Sequence, residues 1–339
     1  MLLLTVFAMC SQNACKSVRF MYHHFLRPLA KRKLSSLYAM LNEAKIDLSS
    51  WLSNFCRLLV RHIPESCRTY PILLVIDDTL IEKVGTHFEA WAKLFDHASH
   101  NGTNYLNGHC VVTPVVLVPF PDENGHVTYE RVPMKHKLWV PKKNKGKDKK
   151  AALDRESIVS GIPYRSKYEL LREILEEALC AMGADRNYVL LADSWYPKGE
   201  ILEFVNGNGN VAGIFTIPIN TVLYDKKVPE HTGKRGRPRE AGDRKTAFSL
   251  LDIPDTNYRA GWRDVTTNLF GRKRLVRALL TESRDAKSRR LFLCTDPGKC
   301  EVPIECITDK MAKAMAEAIP ELLCFACYVF RWSIIPISA

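Results

Sequence analysis

Residues 71–82, PILLVIDDTLIE, decide how this chain is read. The unbroken run Ile72–Ile76 of branched apolar side chains predicts a strand buried on both faces, so Asp77, just beyond it, is expected at the end of a sheet. A second stretch, YVLLADSWYP at 188–197, repeats the pattern, with Asp193 directly after an apolar run. Two such strand ends can share one site, and two facing carboxylates offer the hard oxygen ligands that Mg2+ takes.

Working outward, residues 1–68 carry apolar positions at helical spacing, among them Leu34, Leu37, Leu41, Leu48, Leu52, Phe55, Leu58 and Leu59, and predict a helical N-terminal region. A core is expected over 69–225. In it, Asp122-Glu123-Asn124-Gly125 lies between two apolar segments, Val111–Val118 and Val127–Val132, a hairpin signal. Ser166 with Glu169 three residues later forms a capping box for a helix that stops at Gly183. A strand at Val189–Ala192, a helix after Pro197 and a strand over Val211–Ile219 follow. Residues 226–293 turn polar, basic and strand-like, as a β-rich insertion would, and 294–339 read as helical again. The order strand, hairpin, helix, strand, helix, strand predicts an α/β fold with a ribonuclease H-like mixed sheet.

The chain has 339 residues, long enough for a large core, and 49 Lys and Arg against 37 Asp and Glu give a net charge of +12. The excess is clustered, which favours a polyanionic partner. Lys135–Lys150 holds eight lysines against one aspartate, and 234–245 and 272–290 add two more basic blocks. Eleven cysteines, without paired CxxC spacing, argue against one disulfide framework and predict reduced thiols in a cytoplasmic setting. Cys324 and Cys327 form one CxxC in an apolar stretch and read as core residues. The N-terminal MLLLTVFAMCSQNAC lacks a positive flank and reads as a core helix rather than a leader, and no run approaches the about 20 apolar residues of a membrane span.

LVIDDTLIEKVG, LLADSWYPKGEIL, KRGRPRE, LCTDP and YVFRWSI occur in the order and context of insertion-sequence transposases of the DDE class. The resemblance runs from about residue 70 to the end, and is to the group with a β-rich insertion before the last catalytic helix. It implies DNA strand cleavage and transfer, with Asp77 and Asp193 as catalytic metal ligands, Mg2+ as cofactor with Mn2+ as a substitute, and double-stranded DNA as partner, both element ends and target. It further implies a homodimer as a candidate assembly, a bacterial, DNA-associated location and no membrane partner. In that group a third carboxylate sits in a motif of Tyr, two residues, Arg, three residues, Glu, then six residues and Lys. Tyr328 and Arg331 match, and imply DNA contact, but the Glu position falls on Ile335 and the Lys position is absent. The sequence after Trp332 reads as a shortened copy, so weak or absent catalysis is expected, or a non-catalytic protein that binds element ends as a regulator.

Each assignment has a plainer alternative. Asp78 adjoins Asp77, and strand alternation sends the two to opposite faces. The family spacing of Asp, any residue, then Ser or Thr matches Asp77 with Thr79. Asp193 could instead cap a helix, and Tyr328 and Arg331 could lie together at a surface. Lys234, Arg235, Arg237 and Arg239 flank a Gly-Arg-Pro core that resembles an AT-hook, narrow enough for a minor groove. The Lys135–Lys150 block reads as a mobile phosphate-binding loop, and His109 as structural.

Overall fold

The computed structural model describes residues 18–29, 31–43, 48–83, 89–96, 104–143, 157–228, 241–247, 253–254, 258–269, 272–283 and 289–296. After a helical stretch over Val18–Leu29 come helices α1 (Leu34–Glu43) and α2 (Leu48–Arg61), then the long strand β1 (Ile72–Glu82). Strands β2 (Ala92–Phe95), β3 (Tyr105–Pro121), β4 (Val127–Pro133) and β5 (Lys137–Trp139) precede helix α3 (Lys167–Met182). Strand β6 (Tyr188–Ala192), helix α4 (Gly199–Gly207) and strand β7 (Val211–Ile217) complete the core. Then follow β8 (Leu223–Asp225), β9 (Arg244–Lys245), β10 (Ile253–Pro254), β11 (Tyr258–Leu269), β12 (Arg272–Ser283) and β13 (Arg289–Cys294).

All thirteen described strands join one sheet, ordered β2-β3-β1-β6-β7-β13-β12-β11-β8-β9, with β4 and β5 also paired to β3 and β10 to β11. Strand β1 runs antiparallel to β3 and parallel to β6, which is parallel to β7. The path β4-β3-β1-β6-β7, antiparallel on one side of β1 and parallel on the other, is a ribonuclease H-like mixed sheet. Strands β13, β12 and β11 continue it, each antiparallel to its neighbours.

Local sequence chemistry sets these elements. At the β3–β4 hairpin, Asp122 Oδ1 accepts the backbone N–H of Asn124 and His126, both at 2.8 Å, and Gly125 takes φ +80°, which a side chain would resist. Helix α3 starts at a complete capping box: Ser166 Oγ accepts the Glu169 N–H at 3.1 Å and Glu169 accepts the Ser166 N–H at 2.6 Å. It ends at Gly183, φ +99°.

Strand alternation divides the core in two. Ile72, Leu74 and Ile76 belong to a large cluster with Cys56 and Val60 of α2 and Leu171, Ile174 and Leu175 of α3. Leu73 and Val75 join Val115, Leu117, Val189, Leu191 and Ile214 in a second cluster. Each fully buried Leu or Ile contributes roughly 1.5–3 kcal/mol.

The sequence placed the end of the first strand at Ile76, and the structure corrects this. Strand β1 continues to Glu82 because β3 remains paired with it through Ile81 and Glu82, after the parallel pairing with β6 has stopped at Val75. Asp77 and Asp78 therefore lie inside a strand, at the point where one of its neighbours ends.

Candidate active site

The last parallel pair between β1 and β6 is Val75 with Leu191. Two residues further along each chain come Asp77 and Asp193. Alternation keeps Asp77 on the face of Leu73 and Val75, a face that Val189 and Leu191 share, and Asp193 follows directly after Ala192, the last residue of β6. This register brings Asp77, inside β1, near Asp193, just past the end of β6, close enough for the Asp193 charge to act on Asp77. Across the other neighbour, Asp77 stands opposite Thr113 of β3, whose Oγ1 is buried with no hydrogen-bond partner among the described residues.

The charges of Asp78 and Asp193 both act on Asp77, whereas the carboxylate that acts on Asp193 is Asp78. Burial, reinforced by the charges of Asp78 and Asp193, pushes the Asp77 carboxyl up to about 6, although its Oδ1 accepts the Asp78 N–H at 2.8 Å. Asp193 is also raised, first by burial and then by Asp78, against the pull of Lys167 and Lys198. Its Oδ1 accepts the Trp195 N–H at 2.9 Å and its carbonyl the Tyr196 N–H at 3.3 Å. The helix-cap alternative is thus met only as a tight turn: α4 starts later, after Lys198, with no side-chain cap.

Asp78 faces the opposite side of the sheet, toward α3. Its Oδ2 accepts from Lys167 Nζ at 2.6 Å and from the Cys110 thiol at 3.3 Å, and its Oδ1 from Tyr196 Oη at 2.6 Å. Burial opposes its charge, but Lys167 and these donors overcome it and hold the carboxyl below the ordinary range. The same cluster pushes the Cys110 thiol up to about 12 and the Tyr196 hydroxyl well above its usual value, in both cases chiefly by burial and then by Asp78. Asp78 is saturated with donors, whereas Asp77 and Asp193 keep carboxylate oxygens with no cationic side chain bonded to them among the described residues.

Beyond Asp193 the turn presents Trp195, 53% exposed, with the Lys198 ammonium 5.3 Å from its ring centre and 4.9 Å from that of Tyr168. His109, opposite Ile81, has its Nε2 2.7 Å from the Glu89 carbonyl, and burial lowers its pKa.

The basic blocks divide. Lys135 pairs with Glu177 at 2.9 Å, and Lys137 and Arg165 both pair with Glu173, so the first lysines of the 135–150 block are fastened to α3. This corrects the reading of the whole block as a mobile loop: α3 presents a carboxylate every fourth residue toward β5, and these neutralise the nearest ammonium groups. In the third block, Arg277 pairs with Asp264 across β11 and β12 at 2.9 Å. Residues 144–156, Lys234, Arg235, Arg237, Arg239, Tyr328, Arg331, Ile335, the Cys324–Cys327 pair and residues 1–17 lie outside the described residues.

The donor set fits one hard cation. Mg2+ characteristically takes one or two protein carboxylates and completes its shell with water and substrate phosphate oxygens, and Asp77 and Asp193 supply that pair. Among the described residues no group of three or more His, Cys, Asp or Glu is placed to hold a metal ion.

The family model for the DDE superfamily endonuclease matches residues 1–269. The chain belongs to that family. The match takes in the N-terminal helices, which the sequence reading left outside its resemblance, and stops at the end of β11. DDE nucleases act on DNA and generally use divalent metal ions such as Mg2+. No curated protein matches the chain. No described helix is long and apolar enough to cross a membrane.

Proposed function

We propose that this chain is a DNA transposase of an insertion element, cleaving and transferring DNA strands with Asp77 and Asp193 as ligands of catalytic Mg2+. The observation that supports the reading is the pairing of Val75 with Leu191, from which Asp77 within β1 and Asp193 just past β6 each lie two residues on. Two bound Mg2+ ions supply stabilisation of the attacking and leaving oxygens of an in-line displacement. Asp77 and Asp193 present carboxylate oxygens to that space, and their burial makes a cation the natural means of keeping both ionised. Lys198 and the exposed Trp195 ring border it, a charge and a flat apolar face suited to a nucleic-acid backbone and base. Lys234, Arg235, Arg237 and Arg239, with Tyr328 and Arg331, contact DNA in this reading, and the functional enzyme is a dimer in a bacterial cell.

Ile335 at the position of the third carboxylate has neither charge nor oxygen, so the second ion loses its protein anchor and activity is weak. That residue is also what favours a second reading, in which the protein binds element-end DNA without cutting it and acts as a regulator.

Nicking of supercoiled plasmid tests the first reading. Faint Mg2+-dependent nicking, abolished by Asp77→Asn and by Asp193→Asn and raised at least tenfold by Ile335→Glu, is the expected result. Equal nicking by the parent and both Asn variants sinks the assignment. DNA binding that persists with no nicking, even in Ile335→Glu, establishes the regulator instead.

A further inference from the structure

At the opposite pole of the sheet, α2, the turn before β1 and the end of α3 enclose a cavity of about 600 Å³ lined by Arg57, Arg61, Arg68 and Arg186, with Cys180 and Asp185 among its other walls. Arg68 lies four residues before β1 and Arg186 two before β6, so the cavity sits at the amino ends of these strands, with Asp77 further along β1 and Asp193 just past β6. Five residue steps along β1, roughly 16 Å at the usual strand rise, separate Ile72 from Asp77.

Four guanidiniums face one carboxylate here, and their bonding leaves charge to spare. Arg57 Nε donates to the Ala181 carbonyl at 3.1 Å and Arg186 Nη1 to the Arg68 carbonyl at 3.2 Å. Both groups are thereby oriented by neutral oxygens rather than neutralised. Arg68 pairs with Glu65 at 2.7 Å, but both side chains are largely exposed, at 51% and 82%, and such a pair is worth little in water. Arg61 makes no ion pair or hydrogen bond among the described residues. The carbonyl end of α3 opposes an anion, and Arg57 already satisfies one of its oxygens. A guanidinium fork matches two phosphate oxygens at once, so the group these four arginines fit is a phosphate.

We propose that this cavity is a second DNA-backbone site, gripping phosphates of a duplex segment away from the one at Asp77 and Asp193. The inference uses the family's DNA substrate but not the metal assignment, and it stands if that assignment falls.

The test titrates the full chain with a short fluorescein-labelled duplex over a series of KCl concentrations. Arg61→Ser/Arg68→Ser weakens binding about tenfold and lowers the slope of log affinity against log salt by about 1 to 2, while Arg61→Lys/Arg68→Lys keeps most of both. Unchanged affinity and slope in the Ser variant overturn the proposal. The parent chain supplies an independent readout, because Cys180 is an exposed free thiol in the cavity wall. Duplex DNA should slow its alkylation several-fold, followed by peptide mass spectrometry, in the parent and equally in Asp77→Asn/Asp193→Asn. No slowing, slowing lost in the Asn variant, or slowing by orthophosphate but not by DNA each overturns it.

Discussion

Lys167 Nζ lies 2.6 Å from Asp78 Oδ2, and this contact divides the work of two adjacent aspartates. Asp78 is tied to the first turn of α3; Asp77 bonds no cationic side chain among the described residues. Both partners of the ion pair are about three-quarters buried, with side-chain exposures of 28% and 24%. Lys167→Met strands the Asp78 carboxylate beside Tyr196 and Cys110. The expected cost is about 2–4 kcal/mol, read as a lower urea midpoint, because a half-broken buried pair leaves an uncompensated charge. Asp77→Asn should cost nothing comparable, and equal losses from both substitutions would contradict the division.

The Asp77 carboxyl gives the metal-free protein a specific pH dependence. Its folded value of about 6 lies above the ordinary carboxyl value of 3.8, so the folded state holds the proton more tightly. That contribution is fully present below pH 3.8 and is lost as pH rises through about 6, a change of about 3 kcal/mol at most. In EDTA, stability should therefore decline between pH 4 and 7 by more in the parent than in Asp77→Asn. Added Mg2+ should restore the parent at pH 7.5 and leave Asp77→Asn little changed. Identical pH profiles for the two chains would remove Asp77 as the source.

Thr113 Oγ1 is a buried hydroxyl without a partner among the described residues, directly across from Asp77. Thr113→Val keeps the shape and removes the desolvated oxygen, and should stabilise the metal-free protein by about 1 kcal/mol in denaturant melts. A loss of stability would mean the hydroxyl is bonded in solution.

Gly108 pairs with Glu82 at the tail of β1, where a Cβ would lie 2.1 Å from the Ile81 carbonyl oxygen. Backbone cannot yield as a flexible side chain can. Gly108→Ala should cost more than 2 kcal/mol and loosen the part of the β1–β3 pair beyond Asp78, seen as faster amide exchange at Leu80 to Glu82. Unchanged exchange there would show that the strands absorb the methyl.

Much of the core was legible because its signals are local. The Asp122–Gly125 turn, the Ser166–Glu169 capping box and the Val189–Ala192 strand each depend on residues within a few positions of one another. The opposite facing of Asp77 and Asp78 follows from strand period alone. What lay hidden depends on distant partners: nothing near Lys167 announces Asp78, 89 positions away, nor Tyr196 and Cys110 on the same carboxylate. The length of β1 was misjudged because the chain turns polar at Asp77, while the hydrogen bonds that extend the strand come from β3. On α2, apolar residues occupy two stripes, and the pattern could not tell that Leu52, Cys56 and Val60 are inside while Trp51, Phe55 and Leu58 are exposed. Asp77 and Asp193 stand out in the sequence because an ionisable group after a buried run is rare; that they come near one another depends on the β1–β6 register.

The seam between β7 and β13 carries an implication for handling the protein. Strand β7 is apolar on both sides, and its outer row of amide and carbonyl groups is closed by Leu291 to Cys294, a segment that arrives only after the entire β8–β12 excursion. During synthesis that rim stays open until late, and a fragment ending before residue 289 would present it permanently as a template for self-association. Preparations intended to isolate the N-terminal two-thirds should therefore be expected to precipitate through that rim, unless a short peptide spanning residues 289–294 is supplied to cover it.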